Sequence, residues 1–122
     1  MSLQTISTFS LMNEGGFIAK MRFNYIDNEG LTKTTLQTGD INPGRSMAAK
    51  LADFGVPDGA VVYLQVDVVW GRSHKANEAY VHDEESDGIA RYAIAGTTAS
   101  PMLRPTGLAG DMAGAGNSGG FQ

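Results

Sequence analysis

The sequence contains no cysteine among its 122 residues, which excludes disulfide bonds, thiol catalysis and zinc–thiolate sites. No stretch approaches the roughly 18 consecutive apolar residues of a membrane-spanning helix, so no transmembrane segment is predicted. The first residues, MSLQTISTF, lack the basic and continuous apolar regions of a signal peptide. The default expectation is therefore a cytoplasmic protein.

Basic residues are also scarce, since nine lysines and arginines face thirteen aspartates and glutamates, for a net charge of -4. A nucleic-acid-binding domain normally carries a basic patch or stripe, so we predict no nucleic-acid partner. The negative charge also weakens attraction to anionic lipids, although it leaves binding to neutral headgroups open.

The strongest pattern that is present covers residues 60–71, AVVYLQVDVVWG. Apolar residues occupy alternate positions, which predicts a half-buried central strand. The inward positions are Val62, Leu64, Val66, Val68 and Trp70. Trp70 is expected to close one end of the core.

Similar alternation predicts further strands at 5–12, 17–25, 31–38, 78–82 and 89–97, separated by turns rich in glycine, asparagine and aspartate. Residues 45–54 fit a helix or a strand, and their neighbours favour a strand. Residues 97–107 contain two prolines and are expected to leave the sheet. Short strands with frequent turns predict an all-β fold, an antiparallel β-sandwich of about 6–8 strands.

We assign residues 1–106 to this sandwich and residues 107–122, GLAGDMAGAGNSGGFQ, to a glycine-rich C-terminal tail. Composition alone favours a flexible tail. Ordering so many glycines is entropically costly, so an ordered tail would be held by a neighbouring subunit or another chain. Its large apolar anchors are Leu108, Met112 and Phe121.

Catalytic ingredients are few, and the chain is predicted not to be an enzyme. His74 lies in a basic polar loop, and His82-Asp83 could form a base with an orienting carboxylate but lacks a nucleophile in a suitable context. The acidic turn 83–88, DEESDG, offers oxygen ligands without EF-hand spacing. A solvated turn is favoured there, calcium binding stays open, and no cofactor or metal is predicted.

Two groups of residues are candidates for ligand binding. Tyr63 lies on the polar parity of the central strand and could stack on a sugar or meet a headgroup, although a cross-strand pair explains it as well. Trp70, Arg72 and His74 follow at the strand end, where loops of sandwiches often carry binding sites.

Four segments together resemble a known family: NEGGFIAKMRFNY at 13–25, the loop with Gly39 and Gly44-Arg45-Ser46, PDGAVVYLQVDVVW at 57–70, and GTTASP at 96–101. They are similar to the aegerolysin-like β-sandwich proteins, closest to the small worm proteins up-regulated under reduced insulin signalling and their bacterial and fungal relatives. The resemblance covers about residues 10–101. It implies a compact sandwich with no known catalytic site, in a group whose members bind membrane lipids or partner chains. It identifies no lipid-binding residue in this sequence.

Two functions follow as hypotheses. The first is a non-enzymatic β-sandwich that acts by association, as a self-assembling or partner-binding structural protein with its tail as the assembly arm. The alternative is an aegerolysin-like lipid- or glycan-binding protein that forms part of a membrane-active assembly and uses the loops around Trp70.

Overall fold

The computed structural model describes residues 3–109. In this part of the chain ten strands and one turn of 3-10 helix alternate with short loops. Their bounds are β1 (Thr5–Ile6), β2 (Thr8–Asn13), β3 (Ala19–Ile26), β4 (Thr32–Thr34), β5 (Ser46–Lys50), the 3-10 turn (Leu51–Phe54), β6 (Val61–Val68), β7 (Ser73–Lys75), β8 (Tyr80–His82), β9 (Ile89–Gly96) and β10 (Pro101–Ala109).

The strands form a six-stranded and a four-stranded sheet that pack together as a sandwich. The larger sheet has the order β1-β8-β6-β3-β4, with β7 also paired to β6, and the smaller sheet has the order β10-β9-β2-β5. The longest ladder of the larger sheet joins β3 and β6 from Ala19–Val68 to Ile26–Val61. The predicted central strand therefore lies in the middle of its sheet.

The alternation read from the sequence defines the core. On β6 the inward residues Val62, Leu64, Val66 and Val68 are buried, as are Ala19, Met21 and Phe23 on β3. The smaller sheet contributes Phe9, Leu11, Tyr92 and Ile94 from the opposite side. Phe9 stacks on Phe23 with ring centroids 5.5 Å apart, so the two sheets meet through an aromatic pair at their centre.

The all-β sandwich is thus confirmed, with differences in detail. Residues 3–109 contain ten strands rather than six to eight, and both sheets are mixed, because β1 pairs with β8 and β2 with β9 in parallel. Residues 45–54 divide into β5 and the 3-10 turn, so both alternatives for this segment hold in part.

The expectation that residues 97–107 leave the sheet is wrong. Most of this segment belongs to β10, which pairs with β9 and runs past the predicted boundary at 106 to Ala109. Its prolines are tolerated because β10 is an edge strand, where a missing N–H faces away from the ladder. The register shifts between Pro105 and Gly107, as expected of a β-bulge.

The loops gather at two ends of the sandwich. One group, which we call the Trp70 end, comprises loops 14–18, 39–45, 69–72 and 97–100. The other, which we call the acidic end, comprises loops 27–31, 51–60 and 83–88. Strand direction sets this division, since β6 begins at the acidic end and finishes at the Trp70 end.

Candidate functional site

Trp70 is the most unusual residue in the described part of the chain. Its side chain is 95% exposed, so the expectation that it closes the core is wrong. The strand ends at Val68, and the Gly71 N–H donates to the Val68 carbonyl at 3.0 Å, which closes a turn. Trp70 is the third residue of this turn with φ 67°, a left-handed conformation that turns its side chain out of the alternation of β6.

This backbone conformation is unfavourable for tryptophan. A positive φ at the third residue of such a turn normally requires glycine or asparagine, and other residues lose about 1 kcal/mol or more there. Trp70 is the one non-glycine residue with positive φ in residues 3–109. Exposure and strain together are typical of a residue retained for function rather than for stability.

Two neighbouring loops contact the backbone of this turn. The Val69 N–H donates to the Ile18 carbonyl at 2.9 Å, which ties the turn to loop 14–18. A Cβ atom on Gly71 would lie 2.6 Å from the Thr98 carbonyl oxygen, so the backbone of the turn packs directly on loop 97–100. The turn that carries Trp70 is therefore packed against two neighbouring loops.

Asn13 organises the same end from inside. Its side-chain amide is fully buried and donates to the carbonyls of Phe17, at 2.6 Å, and Ile41, at 2.9 Å. Its Oδ1 accepts the Gly15 N–H at 2.9 Å. One side chain thus replaces three backbone partners and fixes loops 14–18 and 39–45 against each other. Nothing in its sequence context distinguishes Asn13 from an ordinary turn residue.

The four predicted ligand-binding residues do not form one cluster. Arg72 is exposed and follows Trp70 on the same loop. His74 lies half-buried on β7 opposite Val66, and Tyr63 lies half-buried near the beginning of β6, toward the acidic end. The structure therefore brings only Trp70 and Arg72 together.

The outer face of the larger sheet carries a polar network centred on Asp67. Its carboxylate accepts hydrogen bonds from Gln37 and Ser73, both at 2.6 Å, and from Gln65 at 2.7 Å, and lies 3.1 Å from Arg22 Nε. Burial alone raises the pKa of Asp67, but these three hydrogen bonds and the charge of Arg22 outweigh it and hold that pKa below its usual value. The network joins β3, β6 and β7, so the polar residues on this face have a structural role in holding these strands together.

Charge is distributed very unevenly between the two ends. The loops of the acidic end contain eight carboxylates and no lysine or arginine: Asp27, Glu29, Asp53, Asp58, Asp83, Glu84, Glu85 and Asp87. The loops of the Trp70 end contain two acidic and two basic residues: Glu14, Asp40, Arg45 and Arg72. The molecule therefore has a strong negative pole opposite its exposed tryptophan.

His82 does not have the partner that the sequence suggested. Its Nδ1 lies 3.2 Å from the Pro57 carbonyl oxygen and 3.9 Å from Asp58 Oδ1. Asp83 instead accepts the Glu85 N–H at 3.0 Å and caps its own turn. Within residues 3–109 no group of three or more histidines, aspartates or glutamates is arranged to hold a metal ion.

The three predicted tail anchors are placed only in part. Leu108 belongs to β10, where it is half-buried and packs against the core of its own sandwich. Met112 and Phe121 lie outside the described residues. Across residues 3–109, no helix is long and apolar enough to cross a membrane.

Comparison with known proteins finds similarity only among solved structures. No protein-family model matches the chain, and no curated protein matches it in sequence. The resemblance to aegerolysin-like proteins is not tested by these results and stays a prediction.

The similar structures include listeriolysin O, with a TM-score of 0.49 and 13% identity over 82% of this chain; the chain spans 22% of that protein. The membrane-binding domain of pneumolysin is matched with a TM-score of 0.47 and 13% identity, over 83% of this chain and 96% of that domain. Suilysin from Streptococcus suis is matched with a TM-score of 0.42 and 15% identity, over 83% of this chain and 23% of that protein. At such scores and identities the likeness assigns no function.

Proposed function

We propose that this protein binds lipid bilayers through its Trp70 end, with the Trp70 side chain at the boundary between headgroups and acyl chains. The observation that carries the proposal is a tryptophan that is 95% exposed, in a left-handed backbone conformation, on a turn that is hydrogen-bonded to a neighbouring loop. One of the similar structures is described as a membrane-binding domain, but the proposal rests on the surface itself.

Tryptophan suits this position for physical reasons. Its ring combines a large apolar face with a polar N–H, and it concentrates at membrane interfaces. Burial of about 150–250 Å² of the ring at ~25 cal/mol per Å² corresponds to about 4–6 kcal/mol. A free energy of ~4 kcal/mol corresponds to a dissociation constant of about 1 mM. One molecule would thus bind weakly, and several joined copies would bind strongly through avidity.

The charge distribution would orient the molecule. Anionic lipid surfaces repel the eight carboxylates of the acidic end, whereas the Trp70 end is balanced and exposes Arg45 and Arg72. The negative pole would then face the solvent while Trp70 faces the bilayer. This orientation requires no net attraction between the whole protein and the membrane.

Vesicle binding tests the proposal directly. Trp70 is the only tryptophan, so a blue shift of its emission on adding phosphatidylcholine vesicles reports its own transfer into the bilayer. In co-sedimentation we expect Trp70→Ala to lose binding at least tenfold. Leu36→Ala is the matched control, because Leu36 is 85% exposed but follows β4 along the sheet edge rather than lying in a loop of the Trp70 end.

An unshifted emission spectrum, or equal binding by Trp70→Ala and the parent protein, would contradict the lipid proposal. A panel of soluble sugars in the same fluorimeter distinguishes the glycan alternative, since sugars would then shift the emission without vesicles. Salt titration separates insertion from charge attraction, because insertion of the ring is nearly independent of ionic strength.

A second candidate, assembly through the C-terminal tail, is favoured by the position of β10. Within residues 3–109 this strand is an edge of its sheet, and it contains the first three residues of the predicted tail, 107–109. Pro105 and the bulge next to it interrupt the edge and disfavour simple edge-to-edge pairing. A docked tail segment is the more suitable cover.

Light scattering over a concentration series tests the assembly arm. The shortened chain should end at Ala109, because ending it at Thr106 removes the last three residues of β10 and one of its apolar contacts. If the tail drives assembly, the full chain is oligomeric and the shortened one monomeric. Two monomers of equal stability would eliminate this role.

A further inference from the structure

A cavity of about 470 Å³ lies at the acidic end of the sandwich, away from Trp70. It is lined by residues from the beginning of β2, the end of β5, the 3-10 turn, the end of β8 and loop 83–88. Its volume falls in the range of sites that bind small molecules. Four of its lining residues are carboxylates, Asp53, Glu84, Glu85 and Asp87, and one, Lys50, is basic.

His82 is one of the residues that line this cavity, and it is only 1% exposed. Its Nδ1 lies 3.2 Å from the Pro57 carbonyl oxygen. Because a carbonyl oxygen can only accept, Nδ1 must carry a proton. In the neutral ring the other nitrogen, Nε2, is then left as a hydrogen-bond acceptor.

Nε2 is buried and has no hydrogen-bond partner. Leaving a buried polar atom unpaired costs about 1–3 kcal/mol, so such atoms are rare in folded proteins. The neighbouring backbone is well satisfied, since the His82 N–H donates to the Ala60 carbonyl and its own carbonyl accepts the Gly59 N–H. With the ring neutral, a group that pairs with Nε2 has to be a hydrogen-bond donor.

Backbone contacts hold loop 83–88 in place along the cavity. The Glu84 N–H donates to Asp58 Oδ1 at 2.8 Å, and the Gly88 N–H donates to Ser86 Oγ at 2.9 Å. A Cβ atom on Gly88 would lie 2.6 Å from the Thr5 carbonyl oxygen, so the loop packs tightly on the chain before β2. The Glu84 and Glu85 side chains remain exposed around the cavity.

We propose that this cavity binds a small organic ammonium ion that has at least one N–H group. The N–H donates to His82 Nε2, and the carboxylates of Glu84, Glu85, Asp53 and Asp87 balance the positive charge. The negative pole at this end would raise the local concentration of cations. The inference does not depend on membrane binding, because the two surfaces lie at opposite ends of the sandwich.

The experiment compares two cations of equal charge, n-butylammonium and n-butyltrimethylammonium, in titrations of ¹⁵N-labelled full-length protein followed by NMR. Only the first has N–H groups. We expect it to bind at least tenfold more tightly, to shift the amides of Glu84 and Glu85, and to move the Nε2 resonance of His82 in a long-range ¹H–¹⁵N spectrum.

Variants separate recognition from general charge attraction. The double variant Glu84→Gln/Glu85→Gln should weaken n-butylammonium binding at least fivefold. Glu29→Gln is the matched control, since Glu29 is exposed at the same end but does not line the cavity. His82→Phe should abolish the difference between the two cations; if it does not fold, the cation pair alone decides. Equal affinity for both cations, or no shift of Nε2, would overturn the proposal.

Discussion

The hydroxyl oxygens of Tyr80 and Tyr92 lie 3.0 Å apart in the core, one residue from each sheet. The Tyr92 hydroxyl donates to Glu78 Oε1 at 2.9 Å, so the Tyr80 hydroxyl must donate to Tyr92. This chain of hydrogen bonds joins the two sheets at a point where most contacts are apolar. It also provides hydrogen bonds for two buried hydroxyl groups, which would destabilise the fold if they had no partner.

We expect Tyr92→Phe to lower the free energy of unfolding by about 1–2 kcal/mol, because it leaves the buried Tyr80 hydroxyl without its acceptor. Urea denaturation measures the change. Tyr63→Phe serves as the control, since Tyr63 is half-buried on the outer face of the larger sheet, and it should change the stability by less than about 0.5 kcal/mol. Equal effects of the two substitutions would show that the inter-sheet bond contributes nothing.

The same pair predicts a loss of stability in alkali. Burial, the hydrogen bond with Tyr80 and the charge of Glu78 raise the pKa of Tyr92, and burial raises the pKa of Tyr80. Tyrosines of the unfolded chain ionise near pH ~10, whereas these two stay protonated in the fold. The stability they contribute is therefore complete below pH ~10 and is lost as the pH rises above it.

Urea midpoints between pH 8 and 11 test this dependence. Tyr92→Phe should show a shallower decline than the parent protein, because one of the two coupled groups is gone. Parallel curves for the two proteins would contradict the assignment to this pair.

Asp67 predicts the opposite dependence in acid. Its pKa is held low, so the stability that it contributes is present above the unfolded value of ~3.9 and is lost as the pH falls through its lower value in the fold. Asp67→Asn should be less stable at pH 7 by about 1–2 kcal/mol, since it removes charge-assisted hydrogen bonds. The difference from the parent protein should shrink below pH ~3.

Asp40→Asn is the control for Asp67, because Asp40 forms an exposed ion pair with Lys20 at 3.4 Å. Exposed pairs contribute little, so this substitution should change the stability by less than about 1 kcal/mol. If Asp67→Asn changes the stability no more than Asp40→Asn does, the network around Asp67 contributes no more than an exposed ion pair.

We expect Trp70 to contribute to membrane binding but not to the stability of the fold. Asparagine tolerates positive φ, so Trp70→Asn should relieve strain and stabilise the fold by about 1 kcal/mol while vesicle binding is lost. Thermal denaturation and co-sedimentation of the same preparation measure both effects. A marked fall in the melting temperature would mean that the ring packs in solution, and the membrane proposal would lose its main support.

Much of the fold could be predicted from local pattern. Alternation in 17–25 and 60–68 correctly identified the inward residues of β3 and β6, because side chains on a strand alternate between its two faces. The Pro-Asp-Gly sequence at 57–59 correctly predicted the turn before β6. The same reasoning was wrong at Trp70, since one left-handed residue is enough to reverse the direction of a side chain.

Other features depend on which strands become neighbours. The prolines of β10 suggested a loop because the sequence does not show that this strand lies at an edge. The parallel pairs β1–β8 and β2–β9 join segments about 80 residues apart. Local sequence patterns therefore could not predict these pairings. The sequence suggests Asp83 as the partner of His82, whereas the side chain contacts the Pro57 carbonyl, 25 residues earlier.

By itself, the sequence determined the strands, most of their inward faces and the positions of the turns, because these follow from the preferences of adjacent residues. It also contained the eight carboxylates of the acidic end, but only the order of the strands brought those three loops together and moved Trp70 to the opposite end. Both proposed sites follow from that order. Long-range pairing is decided by the packing of the two sheets as a whole, and no single stretch of the chain carries that information.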